Sequence, residues 1–170
     1  MKKFLFIPVV ILMAVLSLFS CSKDDETVRL PENILGVWTP SDSVYLEFGE
    51  KQVVHRLDIF HQDGESIGRW ELEVYYYEPG YNLVIYMDYT NVATVYEIVT
   101  LSDKELTWCP VKTITQQQIE QTGIGKLIGE VINEAQTGFT LNPELYQTLS
   151  KVSEDKFFSL LESLDIMYPW

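Results

Sequence analysis

Residues 53–78, with the sequence VVHRLDIFHQDGESIGRWELEVYYYE, contain two runs of alternating residues on either side of Asp63-Gly64. Alternation with a period of two is typical of a β-strand. Asp-Gly favours a tight hairpin turn because both residues adopt positive φ at little cost. In the second run one face carries Trp70, Leu72, Val74 and Tyr76. The stretch therefore predicts an antiparallel hairpin that directs this face towards the core.

The same pattern continues on both sides of this hairpin. Between about residue 35 and residue 111, short alternating runs are separated by turn signals, and we count about seven strands. Successive hairpins form an antiparallel meander, and a meander of this length usually curls into a barrel.

The pattern changes after residue 113. Apolar residues then recur at helical spacing, which predicts helices over residues 123–136 and 143–163. The fold class is thus mainly β with α: an antiparallel β-meander or barrel over residues 34–112, followed by a helical segment over residues 113–170 that packs on the barrel. We expect the helices to lie outside the barrel, because its outward face would otherwise leave an apolar patch exposed.

The composition excludes some functions. The 170 residues include 12 Lys and Arg against 25 Asp and Glu, a formal charge of −13. Nucleic acid is an unsuitable partner for such a chain, because binding its phosphates needs clustered basic side chains. The 46% of hydrophobic residues argues against long-range disorder.

The first 21 residues resemble the signal sequence of bacterial lipoproteins. Two lysines precede the apolar run 4–19, and Ser20 stands directly before Cys21, as in a lipobox. The resemblance implies that residues 1–20 are a signal peptide removed before Cys21, whose thiol then carries the lipid, with palmitate among its acyl chains. The alternative is an uncleaved transmembrane anchor, although the run is short for a bilayer span.

A short acidic run follows the cysteine. Lys23, Asp24, Asp25 and Glu26 resemble the export signal of surface lipoproteins in Bacteroides-type bacteria. The resemblance implies an outer-membrane protein that is held by its lipid and faces the cell exterior. The alternative is an acidic, solvated linker without a signal function. Residues 21–33 are polar and predict a flexible tether.

A third resemblance lies at the start of the first strand. Gly36-Val37-Trp38 is similar to the Gly-x-Trp motif of lipocalin-like domains, in which the tryptophan packs across one end of a β-barrel. The resemblance covers about residues 34–111 and implies a barrel that binds a small apolar or amphipathic ligand. The residues that we assign to the inner face and to this ligand are Trp38, Trp70, Tyr76, Ile85 and Trp108.

A second hypothesis uses the opposite face of the strands. Four tyrosines fall on the charged face of their strands: Tyr45, Tyr75, Tyr77 and Tyr86. If these rings are exposed, they form a surface for a glycan or a protein partner, as in an accessory module of an outer-membrane complex. If the helices cover them, this surface does not exist.

Catalytic groups are scarce in this sequence. His55 and His61 are six residues apart, roughly 20 Å along a strand, which is too far to bind one metal ion. Cys109 has no histidine motif nearby and is typical of a small buried hydrophobe. Glu71 and Glu73 point the same way from one strand and are typical of a solvated strand face. We therefore expect no enzyme activity, no cofactor and no metal site.

The lipid anchor can be tested directly. We expect Cys21→Ala to leave the membrane fraction, because the variant has no thiol to acylate. Replacement of Asp24, Asp25 and Glu26 by Ala should leave lipidation intact and reduce protease accessibility on whole cells. Membrane retention of Cys21→Ala would indicate an uncleaved helix, and unchanged accessibility of the triple variant would contradict the export signal.

Overall fold

A computed structural model describes residues 34–78 and 80–169 of the chain. The predicted signal peptide and tether, with Cys21 and the run Lys23, Asp24, Asp25 and Glu26, lie outside the described residues. The described residues form eight strands: β1 (Gly36–Ser41), β2 (Val44–Phe48), β3 (Val53–Gln62), β4 (Glu65–Glu78), β5 (Leu83–Met87), β6 (Ala93–Leu101), β7 (Glu105–Ile114) and β8 (Gln147–Val152). The same part of the chain forms three α-helices: α1 (Gln116–Thr122), α2 (Ile124–Ala135) and α3 (Glu154–Ser163).

The strands form a closed antiparallel barrel in sequence order, in which β8 pairs with β1. This architecture is consistent with the lipocalin-like fold expected from the sequence. The β3–β4 hairpin turns at Asp63 and Gly64, which both have positive φ, as the Asp-Gly signal predicts. The turn places Gln62 opposite Glu65, and this register continues to Val53 opposite Val74.

Strand β8 corrects the prediction of a helix over residues 143–163. Residues Pro143–Leu145 form a single 3-10 turn, and the chain then continues as a strand up to Val152. Leu149 points into the barrel and Val152 packs on its outer face, so both are buried on opposite sides of the sheet. The spacing of Leu145, Leu149 and Val152 imitated one helical face, although Leu145 lies in the 3-10 turn and the other two are on opposite faces of the strand. The barrel therefore does not end at residue 112.

Helices α2 and α3 pack on the outer wall rather than across a mouth of the barrel. Under α2, Leu127 and Val131 contact a cluster from β5, β6 and β7: Leu83, Ile85, Ala93, Val95 and Ile114. Under α3, Phe157 and Leu161 contact a cluster from β1, β2, β3 and β8: Val37, Tyr45, Leu57, Ile59 and Val152. Within the described part of the chain, no helix combines the length and apolarity needed to cross a membrane.

The inner face of the barrel is the opposite of the one predicted for β4 and β5. One cluster has buried residues from seven strands and partly buried residues from β6, so it must occupy the interior, and it contains Tyr75, Tyr77, Val84 and Tyr86. Trp70, Tyr76 and Ile85 belong to the outer clusters, while Leu72 and Val74 are exposed. The error arose because the helices bury the outer wall, so both faces of these strands are apolar.

The Gly-x-Trp tryptophan closes one end of the barrel. Trp38 is fully buried, and its Nε1 donates a hydrogen bond to the carbonyl oxygen of Ile34 at 2.8 Å. Ile34 lies immediately before β1 and is also fully buried. At the same end the Tyr75 hydroxyl donates to the Gly49 carbonyl at 3.0 Å, which ties β4 to the turn after β2.

We expect Trp38→Ala to lower the free energy of unfolding by about 3–5 kcal/mol, because it leaves a cavity in the interior. Trp38→Phe keeps a ring but loses the hydrogen bond to Ile34, and should cost less. Urea unfolding of the two variants beside the wild-type protein measures both effects. A loss below about 1 kcal/mol for Trp38→Ala would contradict a structural role for this side chain.

Candidate ligand-binding cavity

A cavity of about 300 Å³ lies inside the barrel, at the end opposite Trp38. This volume is at the lower limit of small-molecule sites. The residues that line it are Pro40, Val44, Leu46, Arg56, Tyr86, Tyr96, Trp108, Gln147 and Leu149. Pro40 and Gln147 are exposed and Leu46 and Leu149 are buried, so the cavity runs inward from the surface.

Aromatic rings form one wall of the cavity. Tyr96 on β6 stacks on Trp108 on β7, with ring centroids 4.3 Å apart and an angle of 23° between the planes. The indole Nε1 of Trp108 donates to the side-chain oxygen of Gln147 at 3.0 Å, which holds the ring in place. Stacking and this hydrogen bond make the wall rigid before a ligand binds, which lowers the entropic cost of binding.

Arg56 brings a charge to the cavity wall. Its Nε and Nη2 donate to both carboxylate oxygens of Asp58 at 2.9–3.2 Å, two positions further along β3. Both side chains are partly buried. The guanidinium and the carboxylate neutralise each other, so this pair adds little net charge to the interior.

Glu73 is the most unusual group of the interior. It is on β4, its side chain is 1% exposed, and neither carboxylate oxygen has a hydrogen-bond partner among the described residues. Burial raises the pKa of Glu73 from 4.5 to about 7. The positive charge of Arg56 opposes this rise, whereas the negative charges of Asp88 and Asp58 add to it. The Tyr89 backbone lies close enough to lower the pKa slightly without forming a proper hydrogen bond.

A second polar atom without a partner lies on the cavity wall. Tyr86 is 8% exposed, and its hydroxyl makes no hydrogen bond with the residues that the structure describes. A buried hydroxyl without a partner costs about 1–3 kcal/mol, and a buried charge costs more. The buried polar ends of Glu73 and Tyr86 therefore lower the stability of the folded state.

The five residues assigned to the ligand from the sequence do not come together. Trp108 lines the cavity, and Trp38 is in the interior but at the closed end. Trp70 is on the outer wall, where its Nε1 donates to the Met167 carbonyl at 3.1 Å. Tyr76 and Ile85 line an apolar groove of about 280 Å³ between α2 and the outer wall.

The sequence did not lead to the assignment of Arg56, Glu73, Tyr86 or Tyr96 to the barrel interior. Glu73 was assigned to a solvated strand face, which is wrong because that face is the barrel interior. The hairpin register contained a usable signal. It places Val54 opposite Glu73, and an apolar residue opposite an acid argues against a fully solvated face.

The tyrosine surface predicted on the outside is not formed by the predicted residues. Tyr75, Tyr77 and Tyr86 are interior, and Tyr45 is buried beneath Phe157 of α3, with ring centroids 5.6 Å apart.

The residues considered for metal or nucleophilic chemistry are separate from the cavity. Cys109 is a buried free thiol, and the Nδ1 of His55 lies 3.1 Å from an oxygen of Glu47. Within residues 34–78 and 80–169, no three His, Cys, Asp or Glu side chains are grouped in a way that would hold a metal ion.

Comparison of the chain with protein-family models, with curated proteins and with solved structures found no match.

The buried carboxyl predicts a pH-dependent stability. In the unfolded chain Glu73 ionises near pH 4.5, but in the folded protein it holds its proton up to about pH 7. The folded state therefore binds more protons between these values, and stability should fall as the pH rises through this range. We expect Glu73→Gln to remove this fall and to stabilise the protein at pH 8 by on the order of 2 kcal/mol, with little effect near pH 4.5.

Urea unfolding at a series of pH values measures this effect. The control is Glu65→Gln, on the same strand but exposed, which should follow the wild-type profile. Parallel profiles for Glu73→Gln and the wild-type protein would show that Glu73 has the same pKa in both states.

Proposed function

We propose that this protein is a non-enzymatic binding protein that holds a small apolar or amphipathic ligand inside a lipocalin-like barrel. The observation that carries this proposal is the interior cavity of about 300 Å³, which has a stacked aromatic wall and reaches the surface. An eight-stranded barrel has an interior that side chains either fill or leave open for one small ligand. Here side chains fill one end and leave the other open.

The shape of the cavity limits the ligand. Its wall combines aliphatic side chains with Tyr86, Tyr96 and Trp108, which favours a flat or ring-containing apolar group. Arg56 and Gln147 add polar groups to the wall, which suits a ligand with one polar end.

The alternative, an interaction module for a glycan or protein that uses exposed tyrosines, has less support. Three of its four tyrosines face the interior and the fourth is beneath α3. The cavity, in contrast, places the rings of Tyr86, Tyr96 and Trp108 in one concave site.

We also propose that the barrel acts outside the cell, held at the outer membrane through a lipid on Cys21. The support is the order of residues at the start of the chain: two lysines, an apolar run, Ser20-Cys21 and then an acidic run. Because the acyl chains alone hold the protein in the membrane, the barrel itself needs no spanning segment.

Ligand binding can be tested with N-phenylnaphthylamine, a neutral apolar dye that fluoresces in apolar sites. We expect the wild-type protein to bind it, and Val44→Trp to weaken binding by about tenfold or more, because the larger side chain fills the cavity. Val99→Trp, at a partly exposed site away from the cavity, is the matched control and should bind as the wild-type protein does.

Fluorescence titration measures the dissociation constants. Circular dichroism establishes that both variants fold. Unchanged binding by a folded Val44→Trp would place the dye elsewhere and contradict the interior site.

A further inference from the structure

Arg56 brings hydrogen-bond donors to the cavity that the protein itself does not use. Val54, two positions earlier on β3, belongs to the interior cluster, so Arg56 also points inward, and it lines the cavity with a side chain that is 33% exposed. A guanidinium has five N–H groups, and the bonds to Asp58 use the one on Nε and one on Nη2. The other N–H groups, on Nη1 and Nη2, have no acceptor among the described residues.

Gln147 adds a donor of the same kind at the surface end of the cavity. The indole Nε1 of Trp108 can only donate, so the Gln147 atom that it contacts at 3.0 Å is the oxygen. This bond leaves the amide nitrogen of Gln147, which also can only donate. The free polar groups of Arg56 and Gln147 are therefore all donors.

The other lining residues offer few acceptors to a ligand. Among the described residues that line the cavity, none is Asp or Glu. The Tyr86 hydroxyl has no accessible surface, and the Tyr96 hydroxyl, which interacts with Thr94, can donate as well as accept. An alcohol or an ammonium group would therefore lose hydrogen bonds to water that the cavity does not replace.

We infer that the polar end of the ligand is a neutral carbonyl oxygen, as in a ketone or an ester on an aromatic or apolar body, and that Arg56 donates a hydrogen bond to it. Tyr96 and Trp108 contact the apolar body of this ligand. The inference names the chemical class of the ligand. It rests on the proposed function, because it requires that the cavity binds a ligand at all.

The charges around Arg56 favour a neutral acceptor over an anion. Asp58 holds the guanidinium with both carboxylate oxygens, and in the facing positions of β4 Arg69 pairs with Glu71. Two positive and two negative side chains thus balance at this end of the hairpin. An anion beside Arg56 would lose its hydration and approach Asp58, in a chain of formal charge −13. A carbonyl oxygen accepts the same hydrogen bond without this repulsion.

Three probes of nearly one shape separate the possibilities: 4-phenyl-2-butanone, 4-phenyl-2-butanol and hydrocinnamate, which carry a carbonyl, a hydroxyl and a carboxylate on the same phenethyl body. Their affinities can be measured by displacement of N-phenylnaphthylamine at pH 6, where Glu73 is mostly protonated and adds little charge of its own. We expect the wild-type protein to bind the ketone about tenfold or more tightly than the alcohol or the carboxylate.

The variant Asp58→Asn tests the charge argument. It keeps the size of the side chain and an oxygen that Arg56 can donate to, but it leaves the guanidinium without a counter-charge. We expect the affinity for hydrocinnamate to rise about tenfold, and that for 4-phenyl-2-butanone to change by less than about twofold. An unchanged affinity for hydrocinnamate, in a variant that circular dichroism shows to be folded, would overturn the argument for a neutral acceptor.

The double variant Arg56→Met with Asp58→Leu tests the donor. It removes both partners, so that neither charge is left unpaired in the wall. We expect it to bind the dye as the wild-type protein does and to lose the preference for the ketone over the alcohol. The matched control is Arg69→Met with Glu71→Leu, an ion pair on the facing strand that does not line the cavity. The control should keep the preference, and its loss there, or its retention in the first double variant, would overturn the role of Arg56.

The outcomes distinguish this inference from the proposed function. If the alcohol or the carboxylate binds the wild-type protein as tightly as the ketone, the preference for a carbonyl is wrong and the cavity remains a binding site. If the dye binds but none of the three probes displaces it, the inference is again overturned while the proposed function stands. If the dye does not bind, both are wrong.

Discussion

Antiparallel pairing between β1 and β8 closes the sheet, with Val37 opposite Val152, Trp38 opposite Lys151 and Thr39 opposite Ser150. Closure gives each of the eight strands a hydrogen-bonded neighbour on both sides. It also bends the sheet so that inward side chains from opposite strands meet. Large residues such as Trp38 and Phe48 fill one end, and the cavity remains at the other.

The interior of the barrel gives polar groups their unusual properties. Glu73 is buried without a hydrogen-bond partner among the described residues, and burial raises its pKa to about 7. A core selected only for stability would have an apolar residue at this position, because a partnerless carboxyl destabilises the folded state. Buried groups with shifted pKa values are concentrated at functional sites, and Glu73 lies on the inward face of β4.

The sequence allowed prediction of the meander, of the β3–β4 hairpin and of helix α2, because each depends on local signals. The Asp63-Gly64 turn fixes which residues of β3 and β4 are opposite each other, as in the pair Leu57 and Trp70. The turn does not determine which face of the hairpin is inside. In this protein the helices bury the outer wall, so hydrophobicity alone could not decide, and the wrong face was chosen.

Burial of residues on both faces of the sheet also prevented the prediction of β8 and, with it, of most of the candidate site. Leu149 and Val152 are buried on opposite faces of one strand, so their spacing resembled a helix, and the eighth strand was not predicted. Without β8 the barrel has no closure, and without the correct inner face Glu73 and Tyr86 are surface groups. Of the residues assigned to the ligand, Trp108 lines the cavity.

The outer helices explain how a barrel of this size can keep an open interior. Phe157 and Leu161 of α3, and Leu127 and Val131 of α2, are buried against the outer wall in clusters separate from the interior. Each fully buried side chain of this kind contributes about 1.5–3 kcal/mol, so much of the apolar burial that stabilises the fold lies outside the barrel. This burial offsets the loss of stability caused by the cavity and the buried polar groups in the interior, which would be too large in a protein with a single core. This separation also means that residues lining the cavity, such as Val44 and Tyr96, can be replaced with a smaller loss of stability than residues under the helices.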